Sequence, residues 1–310
     1  MPVNILFSAR PELWPEYEPL MRQYLTDAGL DFHLAKDIPA DQVDYIVYAP
    51  NGGVQDFTPF SQLKAVLSLW AGVEKISGNE TLTGPLARMV DGGLTQGMTE
   101  WVVGHVLRYH LGMDCHITQQ DGTWTPDAPP LASQRTVCIL GLGALGEAAA
   151  LAMAALNFHV IGWSRTAKNI AGVNCPHGQD GLREALSQAE IVVLLLPDTP
   201  ATENILNADT LALLPKGAQI VNPGRGPLID DDALLAALDD GHISHATLDV
   251  FRVEPLPEDH PYWAHPKVTV TPHIASDTRP SSAAKLVADN IRRAEAGERM
   301  LHTVDRSLGY

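Results

Sequence analysis

The sequence has few cysteines, and their spacing argues against two kinds of site. Only three cysteines occur among 310 residues, at Cys115, Cys138 and Cys175, and no two of them form a CxxC pair. An odd number without that spacing disfavours both a disulfide framework and a zinc knuckle. We therefore expect a protein of a reducing compartment, with no metal site.

Long apolar runs are also missing. No stretch approaches the ~18 consecutive apolar residues that a membrane span needs, and no basic segment precedes the first predicted strand, Val3–Phe7. These features predict a cytoplasmic protein that makes no contact with a membrane.

Positive charge is scarce. Lysine and arginine together number 21 against 37 aspartates and glutamates, which gives a formal net charge of −16. Such a chain repels phosphate backbones, so nucleic acid and anionic membrane surfaces are poor partners. Any anionic ligand must be held by a few local cations or by helix N-termini.

The length and composition predict two folded domains. A chain of 310 residues exceeds a usual domain of ~100–200 residues, and its 45% apolar and 19% charged content is typical of globular proteins. Short β-branched segments alternate with longer amphipathic segments, which predicts an α/β fold with parallel sheets and helices on their faces.

The predicted strands are Val3–Phe7, Val43–Ala49, Ala65–Leu69, Thr136–Leu140, Phe158–Trp163, Ile191–Leu196, Ala218–Asn222, Ala246–Asp249 and Val268–Thr271. The predicted helices are Glu12–Ala28, Thr99–Met113, Ala144–Asn157, Gly181–Gln188, Asn207–Leu214, Asp230–Asp239 and Ser281–Ala296. The unbroken apolar character of the strands from Thr136 onward suggests that they are buried on both faces. Residues 116–134 are polar and rich in turn residues, and they predict a loop or arm that is neither helical nor extended.

A glycine motif follows one of the buried strands. Strand Thr136–Leu140 runs directly into Gly141-Leu142-Gly143-Ala144-Leu145-Gly146, and a predicted helix follows. A GxGxxG in this context is the dinucleotide-binding fingerprint, in which Gly141 permits a tight turn, Gly143 admits a pyrophosphate and Gly146 lets helix and strand pack closely. The alternative is a set of glycines that serve only the turn.

The end of the next strand predicts which dinucleotide is preferred. An NAD-binding domain usually places Asp or Glu ~20 residues after the motif, to bind the ribose 2′-hydroxyl. Here no acidic residue occurs between Glu147 and Asp180, and the strand ends in Trp163-Ser164-Arg165-Thr166-Ala167-Lys168. A charge-assisted bond from Arg165 to a 2′-phosphate would favour NADP(H) over NAD(H) by roughly 10- to 150-fold. The alternative is a solvated arginine on a loop.

Three residues with complementary chemistry follow three later strands. Arg225, Glu254 and His273 come after the strands that end near Asn222, Asp249 and Thr271. A guanidinium can hold a carboxylate in a fork, an imidazole can exchange a proton near neutral pH, and a carboxylate can orient that imidazole. Together they fit the hydride reduction of a 2-oxo acid.

Four linked motifs resemble the D-2-hydroxyacid dehydrogenase family in order and spacing. They are Gly141-Leu142-Gly143-Ala144-Leu145-Gly146, Asn222-Pro223-Gly224-Arg225-Gly226, Leu248-Asp249-Val250-Phe251 with Glu254-Pro255, and Thr271-Pro272-His273-Ile274-Ala275. Trp163-Ser164-Arg165, Thr278-Arg279-Pro280 and the ending 304–310 are similar to the glyoxylate/hydroxypyruvate reductase A subgroup. The likeness spans nearly the whole chain.

The resemblance implies two Rossmann-like domains with doubly wound parallel sheets. The nucleotide domain, 99–276, is expected to be inserted into a flavodoxin-like substrate domain, 1–98 and 277–310, with the active site in the cleft. Arg225 is expected to bind the substrate carboxylate and keto oxygen, His273 to be the general acid and Glu254 to pair with it. The motifs and the resemblance together predict these cofactor-binding residues: Gly141, Gly143, Ala144, Leu145, Gly146, Ser164, Arg165, Thr166, Lys168, Leu196, Pro197, Pro223 and Asp249.

The resemblance extends to a substrate loop and an arm. Gly72 and Val73 match a family loop whose N–H groups hold the substrate carboxylate, whereas Trp70 and Tyr48 depart from the usual residues of the pocket. A plain core role is the alternative for Trp70. The arm 116–134, which contains Trp124, resembles a segment through which relatives dimerise, so we expect a homodimer. Pro223 is a further departure, because Ala or Ser is commoner beside the arginine.

The predicted function is the NADPH-dependent reduction of glyoxylate and hydroxypyruvate to glycolate and D-glycerate. NAD(H) is the weaker cofactor, and a bulkier 2-oxo acid is an alternative substrate. A formate dehydrogenase would need Gln beside the histidine, and Glu254 argues against it. An NAD(P)H-binding sensor that retains the fold is the rival of another class, since such a protein can keep all three residues.

Overall fold

A computed structural model describes residues 2–306 of the chain. The chain folds into two compact units, Met1–Leu94 with Thr278–Tyr310, and Thr95–Asp277. The second unit is therefore inserted in sequence between the two parts of the first. The last four residues of the C-terminal motif, 307–310, lie outside the described residues.

The first unit is built on a five-stranded parallel sheet. Its strands are β1 (Val3–Ser8), β2 (Phe32–Ala35), β3 (Tyr45–Tyr48), β4 (Ala65–Ser68) and β5 (Leu86–Ala87), in the order β2-β1-β3-β4-β5. This is the flavodoxin-like order of a doubly wound sheet. Every residue of β3 and β4 is buried, as expected for strands covered on both faces.

Helices α1 (Trp14–Asp27) and α9 (Pro280–Glu295) cover the sheet of the first unit, and the short α2 (Glu74–Ser77) follows β4. Tyr17, Met21 and Leu25 of α1 are buried in the same core as the small alanines of α9. Small side chains on one helix let the other approach closely, so the C-terminal helix completes this core.

The second unit contains a six-stranded parallel sheet. Its strands are β6 (Thr136–Leu140), β7 (His159–Trp163), β8 (Ile191–Leu194), β9 (Ala218–Asn222), β10 (Ile243–Leu248) and β11 (Val268–Val270), in the order β11-β10-β9-β8-β6-β7. Isolated parallel bridges at Asn174 and His177 extend the sheet beyond β7. The strand order reverses between β6 and β8, where ligands bind in doubly wound sheets. The predicted fold class is confirmed.

The helices that belong wholly or partly to the second unit are α3 (Gly92–His110), α4 (Met113–Thr118), α5 (Ala144–Ala155), α6 (Gly178–Gln188), α7 (Ala208–Leu211) and α8 (Asp231–Asp239). Asp230 caps α8, and its side chain accepts the Ala233 N–H at 3.1 Å. The boundary between the two units lies within α3.

Several predicted boundaries were wrong. The helix expected from Thr99 begins at Gly92, because Asp91 accepts the Leu94 N–H at 3.0 Å and starts it earlier. The helix expected over 207–214 ends at Leu211, since the next turn tightens into i to i−3 hydrogen bonds before Pro215. The strand expected to reach Leu196 ends at Leu194. Strands β2 and β5 were not predicted.

Candidate active site

The glycine motif lies at the switch point of the second sheet. Gly141 has φ +104, and a Cβ there would meet the Leu195 carbonyl oxygen at 2.5 Å. A Cβ on Gly146 would meet the Gly141 carbonyl oxygen at 1.8 Å, whereas one on Gly143 would meet nothing within 4 Å. Gly141 and Gly146 are thus required by contacts within the protein, whether or not a ligand is bound. The second leaves open space at the N-terminus of α5, where exposed Gly143 and Ala144 precede half-buried Leu145.

Residues 164–168 follow β7 at the same end of the sheet as the glycine motif, because Leu140 and Trp163, the last residues of β6 and β7, are paired. Ser164 is buried and its Oγ donates to the Thr166 carbonyl at 2.8 Å, which turns the chain back. Arg165, Thr166 and Lys168 are exposed beyond this turn. The turn therefore presents two cationic side chains to solvent beside the glycine motif.

The segment after β8 lies beside the glycine turn, at the carboxyl ends of the strands. The Leu195 N–H donates to the Leu140 carbonyl at 2.8 Å, and the Leu196 side chain lies 3.1 Å from a Cβ built on Gly141. The Pro197 carbonyl accepts the Thr202 hydroxyl at 2.6 Å. Leu196 and Pro197 are half-buried, so both can contact a ligand at this edge.

Arg225 lies in a turn after β9 that a buried asparagine holds. Asn222 is 1% exposed; its side-chain amide donates to the Arg225 carbonyl at 2.9 Å and accepts the Gly224 N–H at 3.1 Å. The Arg225 guanidinium donates to the Gly224 carbonyl at 2.6 Å and is half-buried. Pro223 is buried in the same turn. The sequence pattern alone did not identify Asn222 as the residue that shapes this turn.

His273 and Glu254 form a direct pair. His273 Nδ1 lies 2.7 Å from Glu254 Oε2, with the histidine side chain 51% exposed and the glutamate side chain 36% exposed. Glu254 Oε1 accepts the Phe251 N–H at 2.9 Å, so both carboxylate oxygens are engaged. Because Nδ1 bonds the carboxylate, Nε2 is the ring nitrogen left for a substrate. The predicted pairing of the two side chains is present in the structure.

Asp249 organises the loop that carries His273. Its fully buried side chain accepts the Thr271 hydroxyl at 2.6 Å, the Ile274 N–H at 2.9 Å and the Ala275 N–H at 2.8 Å. Its carbonyl accepts the His273 N–H at 2.8 Å. His273 itself has φ +54, a left-handed conformation that costs energy for a residue with a Cβ. Four hydrogen bonds to one aspartate hold this conformation, a role that the motif alone does not reveal.

In the first unit, the loop after β4 carries the predicted substrate-binding residues. Ser68 Oγ accepts the Trp70 N–H and donates to the Trp70 carbonyl, both at 3.0 Å. Within residues 2–306, the N–H groups of Gly72 and Val73 donate to no protein acceptor. Successive backbone N–H groups of this kind can bind an anion.

The two departures from the family pocket have different environments. Tyr48 is 3% exposed and packs on Phe57 with ring centroids 5.9 Å apart, and burial raises the pKa of its hydroxyl. Trp70 is 39% exposed, so the alternative of a plain core role for its indole was wrong.

The arm after α3 is partly helical. Helix α4 (Met113–Thr118) includes residues 116–118, which we expected to be irregular, and its Cys115 thiol donates to the Gly112 carbonyl at 3.0 Å. The rest of the arm up to Leu131 has no regular structure. Ile117 is 70%, Trp124 92% and Leu131 71% exposed. Three large apolar side chains therefore face solvent on a single segment.

Two kinds of feature are absent from residues 2–306. No helix in that range is long and apolar enough to cross a membrane. The same residues contain no group of three or more His, Cys, Asp or Glu side chains arranged to hold a metal ion.

Comparison with known sequences identifies related proteins. A model of the D-isomer specific 2-hydroxyacid dehydrogenase NAD binding domain matches residues 106–275, which include the glycine motif, Arg225, Glu254 and His273. A glyoxylate/hydroxypyruvate reductase A from Serratia proteamaculans (strain 568) is 42% identical over 257 residues, which cover 80% of this chain and 82% of the relative.

Comparison with solved structures gives similar folds over the full length. A D-isomer specific 2-hydroxyacid dehydrogenase from Xanthobacter autotrophicus Py2, in complex with NADPH and MES, is 39% identical and covers 100% of both chains with a TM-score of 0.93. An NADPH-dependent glyoxylate/hydroxypyruvate reductase from Sinorhizobium meliloti, in complex with NADP and sulfate, is 33% identical. It covers 100% of this chain and 99% of its own, with a TM-score of 0.86.

Proposed function

The chain belongs to the D-isomer specific 2-hydroxyacid dehydrogenase family and is an NAD(P)-dependent oxidoreductase, and from this premise we propose that it reduces glyoxylate and hydroxypyruvate with NADPH. The products would be glycolate and D-glycerate. The observation that carries the proposal is the His273–Glu254 pair, with 2.7 Å between Nδ1 and Oε2 and the opposite ring nitrogen left for a keto oxygen.

The residues around the glycine motif suit a dinucleotide phosphate. Open space over Gly143, the exposed N-terminus of α5 and the turn that carries Arg165 and Lys168 fit a pyrophosphate and a 2′-phosphate. We assign pyrophosphate binding to residues 143–146 and the 2′-phosphate to residues 164–168. Leu196, Pro197 and Pro223 would border the rest of the cofactor. NADPH supplies the hydride when it is bound.

His273 would donate the proton that the keto oxygen takes up during reduction. Glu254 accepts the Nδ1 hydrogen, so Nε2 carries the hydrogen that is transferred. After the transfer the ring is neutral and keeps its Nδ1–H bond to Glu254. Asp249, which we also expect to lie near the nicotinamide, would support this step by holding the His273 backbone.

Arg225 would bind the substrate carboxylate. A guanidinium makes two parallel hydrogen bonds to a carboxylate, and the Asn222 contacts hold the Arg225 backbone in place for that purpose. In the first unit, the N–H groups of Gly72 and Val73 are the anion donors that we propose. Tyr48 and Trp70 would determine which 2-oxo acids are accepted.

We also propose that two copies associate through the arm 116–134. The support is the exposure of Ile117, Trp124 and Leu131, since exposed apolar surface of this kind is typical of an interaction site. A second copy of the chain is the partner that we propose.

The test is the loss of NADPH absorbance with glyoxylate, hydroxypyruvate, pyruvate and a bulkier 2-oxo acid, each repeated with NADH. We expect fast turnover of the two small acids with NADPH. Turnover of only the bulkier acid would move the substrate to another class. Tight NADPH binding without turnover of any acid would contradict the proposal and favour a sensor.

A further inference from the structure

A four-residue segment joins the Arg225 turn to the His273–Glu254 pair. Glu254 holds His273 and accepts the Phe251 N–H at 2.9 Å. A Cβ built on Gly226 would lie 2.0 Å from the Phe251 carbonyl carbon, so the turn of Arg225 rests directly on this segment. The segment 251–254 thus contacts both groups that we propose to act on one substrate.

The Arg252 side chain connects the segment 251–254 to the residues that follow Arg225. Its Nη2 donates to the Ile229 carbonyl at 2.6 Å, lies 3.4 Å from the Pro227 carbonyl and donates to the Asn204 side chain. Pro227 and Ile229 follow Arg225 in the chain. The Arg252 guanidinium is therefore hydrogen-bonded to the segment directly after the proposed substrate-binding arginine.

Asn204 and Asp231 complete the network around Arg252. Asn204 has φ +51, and its N–H donates to the Pro227 carbonyl at 2.8 Å. Asp231 Oδ2 lies 3.6 Å from the Arg252 Nε, and the other oxygen of that carboxylate accepts the Tyr262 hydroxyl at 2.8 Å. Glu203 lies 3.6 Å from Nη1. A planar guanidinium can serve several fixed acceptors at once, whereas an ammonium is a single point charge.

We propose that Arg252 is a positioning residue, which fixes the turn of Arg225 relative to the His273–Glu254 pair. It touches neither substrate nor cofactor in this role, and the inference rests on the proposed function of those three residues. A loose turn would misplace the carboxylate relative to the proton donor, and small misplacements of this kind are costly for catalysis.

The test compares Arg252→Ala and Arg252→Lys with the control Arg183→Ala, which removes an exposed arginine of α6. We expect Arg252→Ala to raise the KM for glyoxylate and to lower kcat/KM by roughly 10- to 100-fold. The Kd for NADPH should stay close to wild type, and Arg252→Lys should recover only part of the loss. Asn204→Gly, which removes one acceptor without straining the left-handed position, should shift KM in the same direction by less.

Amide hydrogen exchange gives a readout that does not need activity. Arg252→Ala should speed exchange in residues 226–230 and 251–254, while Arg183→Ala leaves them unchanged. An unchanged KM and unchanged exchange in Arg252→Ala would overturn the inference, and so would a loss of NADPH affinity in step with activity. If the wild-type protein reduces none of the acids, the proposed function fails, and the exchange data still decide whether Arg252 holds the two segments together.

Discussion

His273 occupies a backbone conformation that few residues with a side chain adopt. Its φ of +54 is held by hydrogen bonds from its own N–H and from its two successors to Asp249. Strain of this kind persists only where the surroundings impose it, and it is common at functional sites. The strained backbone and the Glu254 contact together fix both the position and the orientation of the imidazole.

Replacing His273 by glutamine should therefore remove the proton donor and leave the fold in place. We expect His273→Gln to lower kcat by ~10²–10⁴-fold, as is typical for the loss of a general acid, with unchanged NADPH binding. Steady-state kinetics and fluorescence titration measure the two effects. His33→Gln, which changes an exposed side chain on β2 of the first unit, is the matched control. Unchanged turnover in His273→Gln would remove the assignment.

Arg165 should determine the choice between the two dinucleotides. A charge-assisted hydrogen bond contributes ~1.5–3 kcal/mol, so Arg165→Ala should raise the Kd for NADPH roughly 10- to 150-fold. The Kd for NADH should hardly change, because NADH has no 2′-phosphate. Fluorescence titration with both cofactors checks this, with Arg183→Ala as the control. An equal loss for NADPH and NADH would mean that Arg165 does not read the phosphate.

At the scale of the elements, the first and last glycines of the motif are needed for packing, whereas the middle one leaves space for a ligand. A Cβ on Gly146 would lie 1.8 Å from backbone, so α5 and the turn would have to separate. We expect Gly146→Ala to lower the thermal midpoint by roughly 4–10 °C, from an overpacking cost of ~1–3 kcal/mol or more. Gly143→Ala should melt like wild type and bind NADPH more weakly. The reverse pattern in thermal denaturation and titration would contradict these roles.

The bounds of two strands of the second unit were predictable from the sequence, whereas the start of α3 was not. Strands Thr136–Leu140 and Ala218–Asn222 were predicted with the bounds that the structure shows, because each is a short, mainly apolar segment with a glycine turn after it. The start of α3 was missed because Gly92 and Gly93 disfavour a helix locally. Gly93 lies in a closely packed place instead, since a Cβ there would meet the side-chain Oγ of Ser282 at 2.7 Å.

The contacts around the site depend on tertiary structure that no local pattern reveals. The motif identified Glu254 and His273, and their pairing followed from the family resemblance. The hydrogen bond from Arg252 to the Ile229 carbonyl joins residues that are 23 positions apart. From the local sequence alone, the Arg252 side chain would be assigned to a solvated loop. The four bonds to Asp249 likewise appear only once β10 and the loop after β11 are side by side.

His245 joins β10 to β11 and should make the second unit sensitive to acid. Its Nε2 lies 2.9 Å from Thr269 Oγ1, and burial, followed by the charge of Arg108, lowers the pKa of the ring to about 4. The unfolded chain therefore binds a proton that the folded chain does not, as the pH falls from about 6.5 towards 4. The stability that the neutral ring contributes is complete above pH 6.5 and is lost on acidification.

His245→Gln should flatten this dependence. Allowing for the partial exposure of the ring, we expect the variant to lose about 1 kcal/mol less stability than wild type between pH 7 and pH 5. Urea unfolding at both pH values measures the difference, and His33→Gln should behave like wild type. Equal losses in wild type and His245→Gln would show that His245 does not contribute to the acid sensitivity.

At the scale of the whole molecule, the net charge of −16 limits how the protein can associate. Two copies repel one another, so a homodimer must rest on apolar contacts rather than on charge complementarity. In the dimer that we propose, the exposed side chains of the arm 116–134 would supply such contacts, and Trp124 at 92% exposure is the largest of them. Because added salt screens the repulsion, it should strengthen the association.

We therefore expect wild-type protein at micromolar concentration to sediment at twice the chain mass of 33.5 kDa, and more completely as NaCl is raised. Trp124→Ala should shift the equilibrium towards the monomer, because it removes the largest apolar side chain of the arm from the contact. Trp263→Ala is the matched control, since Trp263 is 52% exposed and lies outside the arm. Sedimentation velocity separates the two states. A wild-type monomer with full activity would exclude the dimer. Equal dissociation in Trp124→Ala and Trp263→Ala would place the contact elsewhere on the surface, because only one of these tryptophans belongs to the arm.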